Sequence, residues 1–161
     1  MKRERIMIGR QTREHARKLF YYWYQCLLRS DDFLAASEGR DAPDEVKKIF
    51  DEVGNIHEIN FDDWWLTTGT KIQRGYCLSG LPYRRIHLTY RNTERLHRWL
   101  RVWDLDRQHP TWSAYKLAVE LQINVPGDIR ASQLRFCRDL RIAKQLIENA
   151  AVGHFAEFDR Y

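Results

Sequence analysis

Apolar positions recur at intervals of three and four along most of the chain, and that spacing predicts a succession of helices. Over residues 11–30, Ala16, Leu19, Phe20, Trp23, Cys26, Leu27 and Leu28 follow a helical pattern that Thr12 can cap. The run Phe20-Tyr21-Tyr22-Trp23-Tyr24 is apolar almost all round, so this helix needs cover from more than one side. Five consecutive aromatic residues cannot all point inward, and Tyr21 or Tyr24 is expected at the surface. Asp31-Asp32 read as the end of the helix, and residues 35–43, with Gly39, as a loop. A short helix follows over residues 43–53. Pro43 suits its first turn, Asp44 and Glu45 complement its dipole, and Gly54 stops it. Phe61-Asp62-Asp63-Trp64-Trp65-Leu66 reads as one amphipathic turn or short helix. Gly69 closes it, Asp62 and Asp63 cap it, and Phe61, Trp64 and Trp65 form its buried side.

Residues 75–82 contain Gly75, Gly80 and Pro82 and read as a linker. Residues 84–90 alternate, with Arg85, His87 and Thr89 against Ile86, Leu88 and Tyr90, which predicts a strand at the edge or wing of a small sheet. Asn92 can then cap a helix to about residue 107 with Leu96, Trp99, Leu100 and Trp103 inward. Pro110 stops that helix, and Thr111 can cap the next, over residues 112–122. Asn124-Val125-Pro126-Gly127 is a turn. A last helix begins between Asp128 and Gln133, runs to about Ala150, and is broken by Gly153. The expected fold is mainly α. A helical, aromatic-rich N-terminal region (1–82) precedes a basic, helix-turn-helix-like C-terminal region (83–161), with at most a small sheet or wing.

Composition narrows the class. With 43% hydrophobic and 13% aromatic residues the chain can build a core, which excludes disorder for its body. No apolar run approaches the roughly 18–20 residues of a membrane span, and Ile6-Met7-Ile8 is too short for the core of a signal peptide. Cys26, Cys77 and Cys137 are odd in number, widely spaced and without a CxxC pair. They read as reduced thiols of a cytoplasmic protein.

Charge changes the picture most. Residues 1–82 carry 13 Lys and Arg against 13 Asp and Glu, whereas residues 83–150 carry 13 against 7. The basic excess is thus confined to the segment that holds the helix-turn-helix candidate, which makes a polyanion, and nucleic acid first, the expected partner. On the last helix Phe136, Leu140, Ala143, Ile147 and Ala150 share one face, at i, i+4, i+7, i+11 and i+14. Arg135, Arg138, Arg141 and Gln145 are expected on the opposite half, Lys144 at its border, and Asp139 as a mild interruption of the basic field. Arginine reads guanine edges and neutralises phosphates, and glutamine reads adenine edges, so these residue types suit a recognition helix. Arg130, Lys144, Arg95, Arg98 and Arg101 are the expected backbone contacts, the last three at i, i+3 and i+6 on the preceding long helix.

Trp112-Ser113-Ala114-Tyr115-Lys116-Leu117-Ala118, followed by residues 138–147 and Gly153-His154-Phe155, resembles the C-terminal part of uncharacterised helix-turn-helix-like bacterial proteins of prophages and integrative elements. Leu27-Leu28-Arg29-Ser30 and Phe61-Asp62-Asp63-Trp64-Trp65 are similar to features of their N-terminal part. The resemblance implies a regulator-like protein and brings no catalytic signature. The connection 123–131 is longer than the three or four residues of the standard motif.

Other chemistries find little footing. His57, Glu58, Asp62 and Asp63 are the densest metal-ligand cluster, but they lack a partner motif, and no histidine pair has the helical spacing of a zinc site. There is no Gly-x-Ser-x-Gly, no Gly-x-Gly-x-x-Gly and no phosphate-binding loop. Trp64-Trp65 could stack bases, but core packing explains the pair more simply. The expectation is a non-enzymatic, cofactor-free and metal-free protein of the cytoplasm, binding double-stranded DNA as a transcriptional regulator of a mobile element. Its aromatic half is expected to complete the core or to form a homodimer surface. The alternative is an element-encoded inhibitor or adaptor whose basic face docks an acidic protein.

Overall fold

The computed structural model describes residues 10–73 and 90–153. The protein is mainly α, with no strand among the described residues. It divides into two compact units, Met1–Pro82 and Tyr83–Tyr161. No helix among the described residues is long and apolar enough to cross a membrane. The linker expected at residues 75–82 and the strand expected at 84–89 lie outside the described residues. Tyr90, expected as the last strand residue, begins a helix.

In the N-terminal unit, α1 (Arg10–Arg29) buries Leu19, Phe20, Trp23, Tyr24, Cys26 and Leu27. Tyr21 is the aromatic residue that reaches solvent. Tyr24 goes inside because its hydroxyl lies against the carbonyl oxygens of Ile56 and Ile59, so the polar tip is satisfied where the ring is buried. Asp31 and Asp32 do not end the helical run. The Ser30 hydroxyl accepts the Phe33 N–H at 3.2 Å and caps a second helix, α2 (Asp31–Ser37), whose first turn the two aspartates stabilise. The expected loop therefore shrinks to residues 38–43. In α3 (Asp44–Val53), Val46, Ile49 and Val53 point inward. The Phe33 ring of α2 meets Phe50 of α3 edge-on at 5.7 Å.

The tryptophan-bearing helix is capped by Asn60, not by the aspartates. Asn60 Oδ1 accepts the Asp63 N–H at 3.0 Å, and its Nδ2 donates to the Asp63 carboxylate at 2.6 Å. Asp62 instead pairs with Arg17 at 2.6 Å. The helix also continues past its expected end. α4 (Phe61–Trp64) passes through a π-helical turn (Trp65–Gly69) into α5 (Thr70–Gln73). Gly69 is internal and buried, and a Cβ there would stand 2.5 Å from Cε3 of Trp65. The indole, not a chain reversal, demands the glycine. The Trp64 indole N–H donates to the Val53 carbonyl at 3.0 Å, and its ring packs among Phe20, Trp23, Tyr24 and Phe61. These aromatics are the core of the unit.

In the C-terminal unit, α6 (Tyr90–Gln108) starts two residues before Asn92, which is therefore not its cap. It buries Leu96, Trp99, Leu100 and Val102 and half-buries Trp103. α7 (Ala114–Glu120) is capped by Ser113 rather than Thr111, the serine hydroxyl accepting the Lys116 N–H at 3.3 Å. α8 (Ile129–Ala151) is capped by Asp128, whose Oδ1 accepts the Ala131 N–H at 2.8 Å. Val102, Leu117, Ala118, Leu121 and Phe136 form one buried cluster, with Leu105, Trp112, Ile123 and Leu140 packed around it. Val102 shares that cluster with Phe136 while Arg98 reaches Asp139, so α6 and α8 run antiparallel.

Candidate nucleic-acid interface

The joint between α7 and α8 sets how the long helix is presented. α7 ends with the Gln122 N–H donating to the Val119 carbonyl and the Ile123 N–H donating back to Ala118, at 2.9 and 3.0 Å. This is a Schellman closure, in which the residue after the cap is left-handed and the next packs on the helix. Gln122 takes that conformation at φ 57°, and Ile123 packs on the cluster containing Ala118. The chain then reverses at Val125-Pro126-Gly127-Asp128. Pro126 is preset for the second position of the turn, Gly127 supplies φ 77°, and the Asp128 N–H donates to Val125 at 3.1 Å.

Ser132, fully buried, locks this turn to α8. Its hydroxyl accepts the Val125 N–H at 2.9 Å and donates to the Asp128 carbonyl at 2.7 Å. The connection spans eight residues, from Leu121 to Asp128, and its hydrogen bonds hold it in place.

Presented this way, α8 has two unlike sides. Phe136, Ala143, Ile147 and Ala150 are buried and Leu140 is half-buried, so the apolar stripe faces the core. Arg130, Arg138, Arg141, Lys144 and Gln145 are exposed. Among the described residues no ion pair engages Arg130 or Arg141. Lys144 has Glu148 at 3.8 Å across one turn, a contact of little strength at an exposed surface.

Three expectations about charge change with the geometry. Asp139 does not interrupt the basic field. It is fully buried, with Arg98 Nε 3.0 Å from one carboxylate oxygen and Arg98 Nη2 donating to the other at 3.5 Å. Arg98 is therefore a structural partner joining α6 to α8, and not one of a row with Arg95 and Arg101, both of which are exposed. Arg138 Nη2 also lies 3.6 Å from Asp139 while the Arg138 side chain remains largely in solvent. Arg135 is exposed at the edge of this face, about 60° round the helix from Arg138 at 100° per residue. Its guanidinium donates to the Ile123 carbonyl at 3.4 Å, toward the joint. On α7, Lys116 is drawn onto Trp112, its Nζ 3.6 Å from the ring centre, while His109 stacks on the same ring at 3.9 Å.

The structure thus brings Arg130, Arg138, Arg141, Lys144 and Gln145 onto one continuous helix face, with Arg135 at its edge and turned toward the joint, and separates Arg98 from it. Sequence reasoning missed Ser132, Gln122 and the role of Asp139. The last had a signal: Asp139 is three residues after Phe136 and four before Ala143, on the apolar side of the wheel. In the N-terminal unit Asp62 pairs with Arg17 and Asp63 with Asn60, and no three His, Cys, Asp or Glu come together as a metal site among the described residues. The chain matches no protein-family model, no curated protein and no solved structure.

Proposed function

We propose that this protein is a non-enzymatic, cytoplasmic double-stranded DNA-binding protein of regulatory type that applies the outer face of α8 to the major groove. One observation carries the reading. Arg130, Arg138, Arg141, Lys144 and Gln145 are exposed on a helix whose opposite face is buried, and that helix is held at its N-terminus by a hydrogen-bonded joint. Guanidinium groups on a preorganised helix neutralise phosphates and pair with guanine edges. Arg95 and Arg101 add backbone contacts from α6, whereas Arg98, committed to Asp139, does not. The resemblance of residues 112–155 to regulator-like proteins of mobile elements supports placing the activity in transcriptional control of such an element.

The test is titration of random-sequence duplex DNA at increasing salt. Six phosphate contacts, from Arg95, Arg101, Arg130, Arg138, Arg141 and Lys144, give a log–log slope of about −5.4 and a loss of about a thousandfold between 50 and 200 mM. Charge reversal by Arg138→Glu with Arg141→Glu abolishes binding. Absence of binding at low salt, or binding indifferent to salt, refutes the proposal. Stoichiometric capture of an acidic protein by a chain that ignores DNA would favour the inhibitor or adaptor reading.

A further inference from the structure

Leu134 is the most exposed large apolar side chain of α8, at 63%, followed by Ile129 at 58%. Arg130 stands one turn before it, Arg138 one turn after and Arg141 two turns after, so a side chain unable to hydrogen-bond occupies the middle of a cationic face. Core packing does not call for it, since the buried side of the same turns is filled by Ser132 and Phe136. An apolar group ringed by guanidinium groups suits a partner that is anionic around its edge and apolar at a point within. The major groove has this character. Phosphates flank it, and the C5 methyl of thymine is the apolar group on its floor. Leu134 is also the sixth residue of α8, within the first turns, which are those that reach base edges in a recognition helix. Gln145 lies eleven residues further, about 16 Å along the axis, too far along to share that reach.

We propose that Leu134 packs on thymine C5 methyl groups, so that the face selects thymine-bearing major grooves while Arg130, Arg138 and Arg141 hold phosphates and guanine edges. The inference rests on the DNA-binding reading above. Burial of one methyl-sized group corresponds to about fourfold in affinity.

The full chain is titrated with two duplexes of one sequence, identical except that deoxyuracil replaces every thymine in the second. The thymine duplex is expected to bind about fourfold tighter for each methyl contacted, with the same salt slope. Replacing cytosine by 5-methylcytosine in the uracil duplex, which returns a methyl to the same ring position, recovers part of the difference. Leu134→Ala, a change at an exposed site whose folding is checked by circular dichroism, erases the preference and keeps the slope. Equal salt-dependent binding to both duplexes, or a thymine preference that survives Leu134→Ala, overturns the inference and leaves the DNA-binding reading standing. Failure to bind either duplex at low salt overturns both. A change in sedimentation on Leu134→Ala, with no thymine preference in the parent chain, assigns the leucine to a protein contact and also overturns the inference.

Discussion

Removing Arg98 should cost more than neutralising its partner, although the two form a single ion pair. Asp139 is fully buried, so Arg98→Ala leaves a carboxylate without water and with only the Arg138 guanidinium, at 3.6 Å, for company. Breaking a buried pair from one side costs about 3–5 kcal/mol, and the residual Arg138 contact places this case near the lower end. Asp139→Asn leaves a guanidinium whose side chain is 34% exposed and can hydrate. That variant loses little more than a charge-assisted hydrogen bond, about 1.5–3 kcal/mol. At about 4–8 °C per kcal/mol for a domain of this size, Arg98→Ala lowers the melting temperature of the C-terminal unit by at least about 12 °C.

Urea unfolding of both single variants and the double variant measures the coupling, expected at about 1–3 kcal/mol. DNA titration below the melting temperature supplies a second readout, because a structural arginine leaves affinity and salt slope unchanged. An Arg98→Ala chain that is as stable as the parent but binds DNA more weakly would return Arg98 to the phosphate contacts and refute the reasoning. So would strict additivity of the two substitutions.

Gln122 holds a left-handed conformation that glycine adopts without a Cβ penalty, so Gln122→Gly is expected to stabilise the C-terminal unit by about 0.5–1 kcal/mol after the added freedom of the unfolded chain is subtracted. A denaturant midpoint that falls instead would show that the Gln122 side chain is needed. Cys137 is exposed on the face proposed to meet DNA, between Leu134 and Arg141, whereas Cys26 is buried and its thiol is pushed up by that burial. In a Cys77→Ser chain, maleimide should label Cys137 alone until unfolding, duplex DNA should slow the labelling, and the labelled protein should lose DNA affinity. Equal labelling rates with and without DNA would remove α8 from the interface.

Glu52 has a buried carboxylate oxygen without a hydrogen-bond partner among the described residues, and burial raises its pKa above the ordinary carboxylate value. The folded state therefore favours the protonated form. Its contribution is fully present below the unfolded value and is lost as pH rises through the folded one. Glu52→Gln should match the parent near pH 4 and exceed it at pH 7 in urea midpoint, and a constant difference across that range would contradict the assignment.

Periodicity located the long helices because burial on one side leaves a strong imprint. Leu96, Trp99 and Leu100 on α6 and Phe136, Ala143, Ile147 and Ala150 on α8 are inward as expected. Local chemistry was less legible, since several residues can do the same job. Asn60 and Ser113 took the capping roles assigned by position to Asp62, Asp63 and Thr111, and Asp31-Asp32, read as a stop, began a helix that Ser30 caps. Gly69 looked like a terminator because its reason, the ring of Trp65, is a contact that the one-dimensional pattern does not display. Of the candidate site, the arginine stripe was visible on a wheel. The pairing of Arg98 with Asp139 depends on how α6 and α8 pack, and the turn of Arg135 toward Ile123 depends on the joint. Both are tertiary facts.

At 1.5 Å per residue the 23 residues of α8 make a rod about 35 Å long, close to one full turn of B-DNA, over which the groove winds completely round the duplex. A straight rod cannot follow it, so only part of the helix can lie in the groove at once. Burial holds α8 along its whole length, through Ser132, Phe136 and Asp139 in the near half and Leu146, Ile147, Ala150 and Ala151 in the far half. Mechanically α8 is a beam supported at both ends, with one side left in solvent from Arg130 to Gln145. Under the proposed reading such a beam meets DNA as a rigid body, so a substitution that loosens either support, at Phe136 or at Leu146, should shift the whole outer face rather than one side chain.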